Sequence, residues 1–334
     1  MKTVLITGGA GFIGSHTCVE LSKAGYHLVI LDNLYNSRAD VIDRLKQICG
    51  LSPIFIQGDV RNAATLDDLF SKYTITAVIH FAGLKAVGES VEKPLEYYDN
   101  NVVGTIQLLA AMERAAVRTL VFSSSATVYG DSASVPISET SPRSVTNPYG
   151  RTKLMIEDIL ADLSQSDPEW RIACLRYFNP IGAHESGLIG ESPQGIPNNL
   201  VPYIAKVAAG QLDHLNVWGA DYPTPDGTGI RDYIHVCDIA EGHVAALSYL
   251  ERFSGISTVN LGTGRGYSVL DIIKAFEKAS GRSIPYKIGP RRAGDIIQCW
   301  ADTTHANQLF NWQASRNLEQ MCADAWRWQQ ANIN

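Results

Sequence analysis

The chain has 334 residues, 45% hydrophobic and 19% charged, with a formal net charge of -6. That apolar content excludes disorder and suits two domains or one extended one, while the acidic balance argues against nucleic acid as a partner and leaves room for a local basic pocket. Residues 1–7 run straight into a strand with no signal-peptide pattern, and no apolar run is long enough to span a membrane, so a cytoplasmic protein without a membrane partner is expected.

In chain order, Thr3–Thr7, Leu28–Asp32, Ile54–Gln57, Ala77–Phe81, Leu120–Ser123 and Ile172–Arg176 are short β-rich apolar runs separated by longer helical patterns. This alternation predicts an α/β fold, a doubly wound parallel sheet of Rossmann type. After Asn179 the rhythm gives way to loop-forming stretches such as 192–199 and 222–227, which predicts a smaller mixed α/β domain over 180–334 beside a first domain over 1–179. The segment 233–262 is expected to be able to return to the first domain.

The first strand ends in Gly8-Gly9-Ala10-Gly11-Phe12-Ile13-Gly14, which fits G-x-G-x-x-G through Gly9, Gly11 and Gly14, or G-x-x-G-x-x-G through Gly8, Gly11 and Gly14. Glycine there permits a tight turn, lets backbone N–H groups approach a pyrophosphate, and allows helix and sheet to pack closely. Asp32, ending the second strand, places a carboxylate where it would bind ribose hydroxyls and repel a 2′-phosphate, so the predicted cofactor is NAD rather than NADP. Asp59 follows the third strand; an adenine contact and a turn cap are equally open readings.

Within Asn147-Pro148-Tyr149-Gly150-Arg151-Thr152-Lys153, proline starts a helix and the i,i+4 spacing puts Tyr149 and Lys153 on one face. A free phenol titrates near pH 10. An ammonium about 6 Å away at an effective dielectric of about 20 contributes ~2.8 kcal/mol, about 2 pKa units, and an oxidised nicotinamide adds in the same direction. A phenolate near neutrality is therefore expected, acting on a substrate hydroxyl. Ser125, at the end of the run Phe122-Ser123-Ser124-Ser125, is positioned to hold the reacting oxygen, with Ser123 and Ser124 structural. The six cysteines show no C-x-x-C spacing and the eight histidines no i,i+4 pair, so reduced thiols and no protein-bound metal are expected.

Gly8–Gly14, Ser125 and the Tyr149/Lys153 pair together resemble the extended short-chain dehydrogenase/reductase family. More closely, residues 80–90, 123–130, 176–180, 193–200 and 229–236 resemble the UDP-glucose 4-epimerase family through essentially the whole chain. That resemblance implies reversible oxidation at C4 of a UDP-hexose through a 4-keto intermediate, with NAD kept bound, and a homodimer. It implies that Gly8, Gly11, Phe12, Ile13, Gly14, Asp32, Asn33, Asp59, Val60, Phe81, Ala82, Lys85, Asn100, Tyr149, Lys153 and Phe178 hold NAD. Ser125, Tyr149, Asn179, Asn199, Leu200, Arg231, Arg292, Asp295 and Cys299 would meet the UDP-sugar, the arginines on phosphate because a planar guanidinium binds it as a fork. Dehydratases of similar fold carry an Asp-Glu pair where this chain has Ala126 and Thr127, which disfavours dehydration. Cysteine at 299, where glucose-type bacterial members carry tyrosine, leaves space for an acetamido group. Two alternatives stay open: an NAD-dependent UDP-sugar oxidoreductase with net cofactor turnover, and a non-catalytic nucleotide sensor on the same scaffold.

Overall fold

A computed structural model describes residues 2–131, 134–193, 197, 199–292 and 295–332. The motif residues Gln194, Gly195, Ile196, Asn198, Ala293 and Gly294 lie outside that set.

The strands are β1 (Thr3–Thr7), β2 (His27–Asp32), β3 (Ile54–Gln57), β4 (Ile75–His80), β5 (Thr119–Ser125), β6 (Arg171–Tyr177), β7 (Asn179–Ile181), β8 (Leu215–Trp218), β9 (Ile230–His235), β10 (Gly255–Leu261), β11 (Gly266–Ser268), β12 (Tyr286–Gly289) and β13 (Gln298–Cys299). Seven form one parallel sheet in the order β10-β6-β5-β4-β1-β2-β3. The fold class read from the alternation of apolar runs is thereby confirmed. Its inner strands are buried on both faces, as in Val4-Leu5-Ile6, and helices cover both sides.

The chain leaves β1 to pair with β2 on one side and β4 on the other, so the strand order reverses at β1. In open α/β sheets a crevice opens there, beyond the carboxyl ends of the strands, and ligands bind in it. The glycine loop, the residues after β4 and Ser125 all sit along that edge.

Of the segment 233–262, β10 is the edge strand of the large sheet and the helix Val236–Leu250 packs on the helix Phe12–Lys23. Tyr233–His235 belong to β9, which pairs with β7, β11 and β13 in a second sheet, while Ile234 packs back into the buried cluster that holds Val4 and Ile6. A separate buried cluster, built on Ile204, Val217, Tyr233, Ile272, Phe276 and Trp326, supports that second sheet and the helices around it. The six cysteines are free thiols, and all but Cys49 are buried.

Candidate active site

The glycine loop is shaped by close backbone approach. A Cβ on Gly8, whose φ is +73°, would stand 2.7 Å from the Ala82 nitrogen, and one on Gly14 would stand 2.8 Å from the Gly9 Cα and closer still to the Gly8 carbonyl. Both positions therefore require glycine. The helix Phe12–Lys23 begins on Gly11, and its first intrahelical bond runs from Ser15 N–H to the Gly11 carbonyl. The N–H groups of Phe12 and Ile13 precede that bond, which leaves them without an intrahelical acceptor, the arrangement by which helix N-termini bind anions.

Asp32 ties this loop to β2. Its carboxylate accepts from the Ala10 N–H at 3.0 Å, the Leu34 N–H at 2.9 Å and the Ser37 hydroxyl at 2.8 Å. These bonds hold the acid at the crevice edge next to exposed Asn33. Asp59 resolves differently: both of its oxygens take the Arg61 guanidinium, one also accepts the Arg61 N–H, and Asn33 donates at 3.1 Å. Arg61 holds this carboxyl well below the usual range. Asp59 is a turn-forming, ion-paired acid in this arrangement, and the helix that follows is capped by Asn62 instead.

Phe81 and Ala82 follow β4, both donating backbone N–H groups to the Thr7 carbonyl. The Phe81 ring rests on buried His243 with centroids 4.8 Å apart, and Phe178 is buried just after β6. Val60 packs beneath Gly104, and Asn100 lies in the π-helical segment Tyr98–Val103.

Tyr149 and Lys153 stand on the helix Pro148–Ser166, whose start is set by Pro148 and by the Asn147 side chain accepting from Gly150 N–H at 2.8 Å. Lys153 is buried, donates to the Ser123 carbonyl at 2.6 Å and has its Nζ 6.0 Å from the centre of the Tyr149 ring. The Ser125 hydroxyl lies beside the Tyr149 phenol and accepts from the Thr127 N–H and hydroxyl. In the protein without its cofactor, burial works against the phenolate expected near neutrality. Burial raises the Tyr149 phenol above its ordinary value, against the opposing pull of Ser125 and Lys85. Burial also lowers Lys153 to about 8. Lys85 is a second cation that bears on Tyr149, one the spacing argument overlooked.

Three further residues escaped the sequence reading. Asn101 accepts from Leu84 N–H at 2.8 Å and donates to Thr152 at 3.1 Å, so it staples the loop after β4 to the tyrosine helix. Glu191 accepts from Lys85 at 3.0 Å and Asn199 at 2.8 Å, joining a predicted cofactor residue to a predicted substrate residue. Glu157 lies one turn beyond Lys153 and is buried. Asn101 and Glu191 act on partners distant in sequence and belong to no recognisable spacing, whereas Glu157 follows Lys153 at i,i+4 and could have been read from it.

On the substrate side, Asn179 lies in β7 and Arg231 in β9, two strands paired in the second sheet, and Leu200 begins the helix Leu200–Ala208. Cys299 is paired opposite Arg231 and buried in one apolar cluster with Phe178, Tyr129 and Leu154. Arg292 forms an ion pair with Asp295 at 3.0 Å, so each must exchange that partner to take on the separate tasks expected of them.

With the glycine loop, the acid ending β2 and the tyrosine–lysine pair in one crevice, comparison with known proteins places the chain. Residues 4–262 match the NAD dependent epimerase/dehydratase family. The chain belongs to that family. Its relatives include the UDP-glucose 4-epimerases of Bacillus subtilis and Neisseria gonorrhoeae, each 58% identical over 99% of this chain and 98% of the relative. Among solved structures, the UDP-glucose 4-epimerase of Stenotrophomonas maltophila with bound NAD and formylated UDP-arabinopyranose superposes with a TM-score of 0.98 at 52% identity, covering 99% of this chain and 98% of that one. The Bifidobacterium longum enzyme in complex with NAD+ and UDP gives 0.96 at 53%, covering 99% of each chain. The resemblance read from the residues is thus confirmed, and NAD is the family's cofactor. The Gly8 and Gly14 cradle, which any Cβ would fill, and the held carboxylate of Asp32 fit that dinucleotide.

Proposed function

We propose that the chain interconverts UDP-glucose and UDP-galactose as a UDP-hexose 4-epimerase, with NAD retained through the cycle. The observation that carries this reading is the convergence of Ser125, Tyr149 and Lys153 on the carboxyl edge of the sheet, beside the glycine loop. Bound NAD supplies the hydride acceptor and donor for C4. Tyr149 removes the proton of the 4-hydroxyl and returns one to that same oxygen once the 4-keto sugar has turned its opposite face to the cofactor, while Ser125 holds the reacting oxygen towards it. Lys153 and Lys85 supply the positive charge that a buried phenolate requires. Residues 1–179, joined by the helix and strand that follow β9, carry the cofactor; residues 180–334 carry the nucleotide sugar, with Asn179, Asn199, Leu200, Arg231, Arg292 and Asp295 around it. Conversion of UDP-galactose to UDP-glucose without added NADH tests the reading. Accumulation of NADH in step with substrate consumed favours a net oxidoreductase, and no conversion favours a nucleotide sensor.

The same site also accepts UDP-N-acetylglucosamine and UDP-N-acetylgalactosamine, because Cys299 occupies a small volume beside Phe178 where a phenol ring would fill the wall near the sugar C2. Replacing Cys299 by tyrosine is expected to lower turnover of the acetylated pair by ~10–200-fold while UDP-galactose is converted at near the original rate. Equal losses on both substrate pairs would overturn the assignment of Cys299 as the wall.

The protein acts as a homodimer in the cytoplasm. No helix among the described residues is long and apolar enough to cross a membrane. Val91, Leu95 and Val103 are exposed on helical segments that pack on the tyrosine helix, Met155 is exposed on that helix itself and Ile106 on the helix that continues from Val103, Leu95 being 82% exposed. A second copy would cover this patch. Leu95→Glu is expected to shift sedimentation from dimer to monomer; an unchanged dimer would place the interface elsewhere.

A further inference from the structure

Three consecutive serines of β5 each engage one of three residues spaced four apart along the helix Pro148–Ser166. Ser125 meets Tyr149, the Ser123 carbonyl accepts from Lys153 at 2.6 Å, and the Ser124 hydroxyl donates to Glu157 at 2.6 Å. Glu157 is itself gripped by Arg176 of the neighbouring strand β6, Nε to Oε1 at 2.9 Å and Nη2 to Oε2 at 2.6 Å. Ser124 and Arg176 are register partners in the sheet, so the carboxylate spans two strands. Arg176 also donates to the Tyr129 hydroxyl at 2.8 Å, and Tyr129 donates to Asn260 on β10 at 2.6 Å. The acid and the guanidinium are almost fully buried.

A buried ion pair is a poor source of stability compared with apolar side chains of the same volume, and its best-attested use is to select one register. Here that register is the seating of the helix that carries the proton-transfer pair. We propose that Glu157 is a positioning residue for Tyr149 and Lys153: its carboxylate locks the helix to β5 and β6, and it supplies the negative charge that faces the Lys153 ammonium. The inference rests on the epimerase reading for its purpose and on geometry for its content.

The surroundings of both groups leave Glu157 as the one ordinarily negative side chain acting on Lys153 among the described residues. From β5 Lys153 meets the Ser123 carbonyl and, 4.8 Å away, the centre of the Phe122 ring; from its own helix it meets Tyr149. Asn101 stands close to it across Gly83. His80 of β4 is neutral, because burial pushes it down to about 3. Burial lowers Lys153 and Glu157 alone opposes that fall. Around Glu157 are Ser124, Arg176, Arg143 at 3.4 Å and the neutral thiol of Cys174.

The test is Glu157→Gln in the full, NAD-loaded protein, a substitution that keeps the shape and an acceptor for Ser124. The Lys153 amine is titrated by NMR of lysine-labelled protein, its Cε signal being identified by its loss in Lys153→Met. The expected result is a Lys153 midpoint about one pH unit below wild type, with the alkaline limb of the kcat profile moved down equally and KM within about twofold. Glu157→Asp is expected to restore part of the shift. A Lys153 midpoint and alkaline limb identical to wild type, whatever the loss in kcat, would mean packing alone and overturn the proposal. Should the lone Arg176 charge prevent folding, the neutral pair Glu157→Gln with Arg176→Gln serves: Glu157 is one turn from Lys153 and Arg176 lies beyond it, so the midpoint still falls below wild type. A midpoint at or above wild type in that double variant overturns the proposal equally. Because the amine titration needs no turnover, failure of wild type to convert UDP-galactose would sink the epimerase reading without deciding this one.

Discussion

Tyr149→Phe is expected to lower kcat for UDP-galactose by about 10²–10⁴-fold, the span of a general acid–base group, while the purified protein keeps its NAD. The substitution removes one hydroxyl and leaves the ring, which stands beside Lys153 at 6.0 Å from the ammonium. Ser125 still bonds Thr127, so the local fold persists. The substrate hydroxyl then has no acceptor for its proton, and Lys153 is directed at the Ser123 carbonyl rather than at the reacting oxygen. Steady-state kinetics with NAD measured in the denatured extract is the check. Full activity with phenylalanine at this position would remove Tyr149 from the reaction and the proton-transfer scheme with it.

Gly14→Ala is expected to abolish NAD retention and to destabilise the fold. The added methyl would be driven into the Gly8 carbonyl and to 2.8 Å from the Gly9 Cα, both backbone atoms that cannot rotate aside. Gly8 in turn lies against Ala82, and the Ala10 N–H is held by Asp32, so the loop has no free direction in which to move. Overpacking of this kind costs about 1–3 kcal/mol. The larger effect falls on the cofactor, since displacement of the helix start turns the Phe12 and Ile13 N–H groups away from the pyrophosphate position. The measurements are NAD content per chain and the thermal midpoint. Stoichiometric NAD in the alanine variant would contradict the close-packed cradle.

Local rules made the doubly wound sheet legible: alternating apolar runs, a glycine turn between strand and helix, and a proline-started helix with tyrosine and lysine one turn apart are each written in a few adjacent residues. The end of β2 at Asp32 and the start of the tyrosine helix at Pro148 were readable for the same reason. The sheet partners of Tyr233–His235 were not, because whether an apolar strand joins one sheet or another depends on which edges are vacant, and β7, β11 and β13 took this one.

The charge state of the site shows the same division. Spacing alone puts an ammonium near Tyr149 and predicts an acidic phenol, a Coulomb argument that leaves out the cost of removing either charge from water. Burial reverses it, raising the phenol and lowering Lys153, with Lys85 arriving from a loop more than sixty residues away to act on the tyrosine. Asp59 went to Arg61 and Asn33 because those partners meet it only once the chain is folded. By itself the sequence determined the fold class, the glycine cradle and the identity of the tyrosine–lysine pair, all set by neighbours along the chain. Only the tertiary structure decided which charges face that pair and that Ser124, Glu157 and Arg176 seat its helix, because desolvation and ion pairing belong to surfaces that meet only on folding.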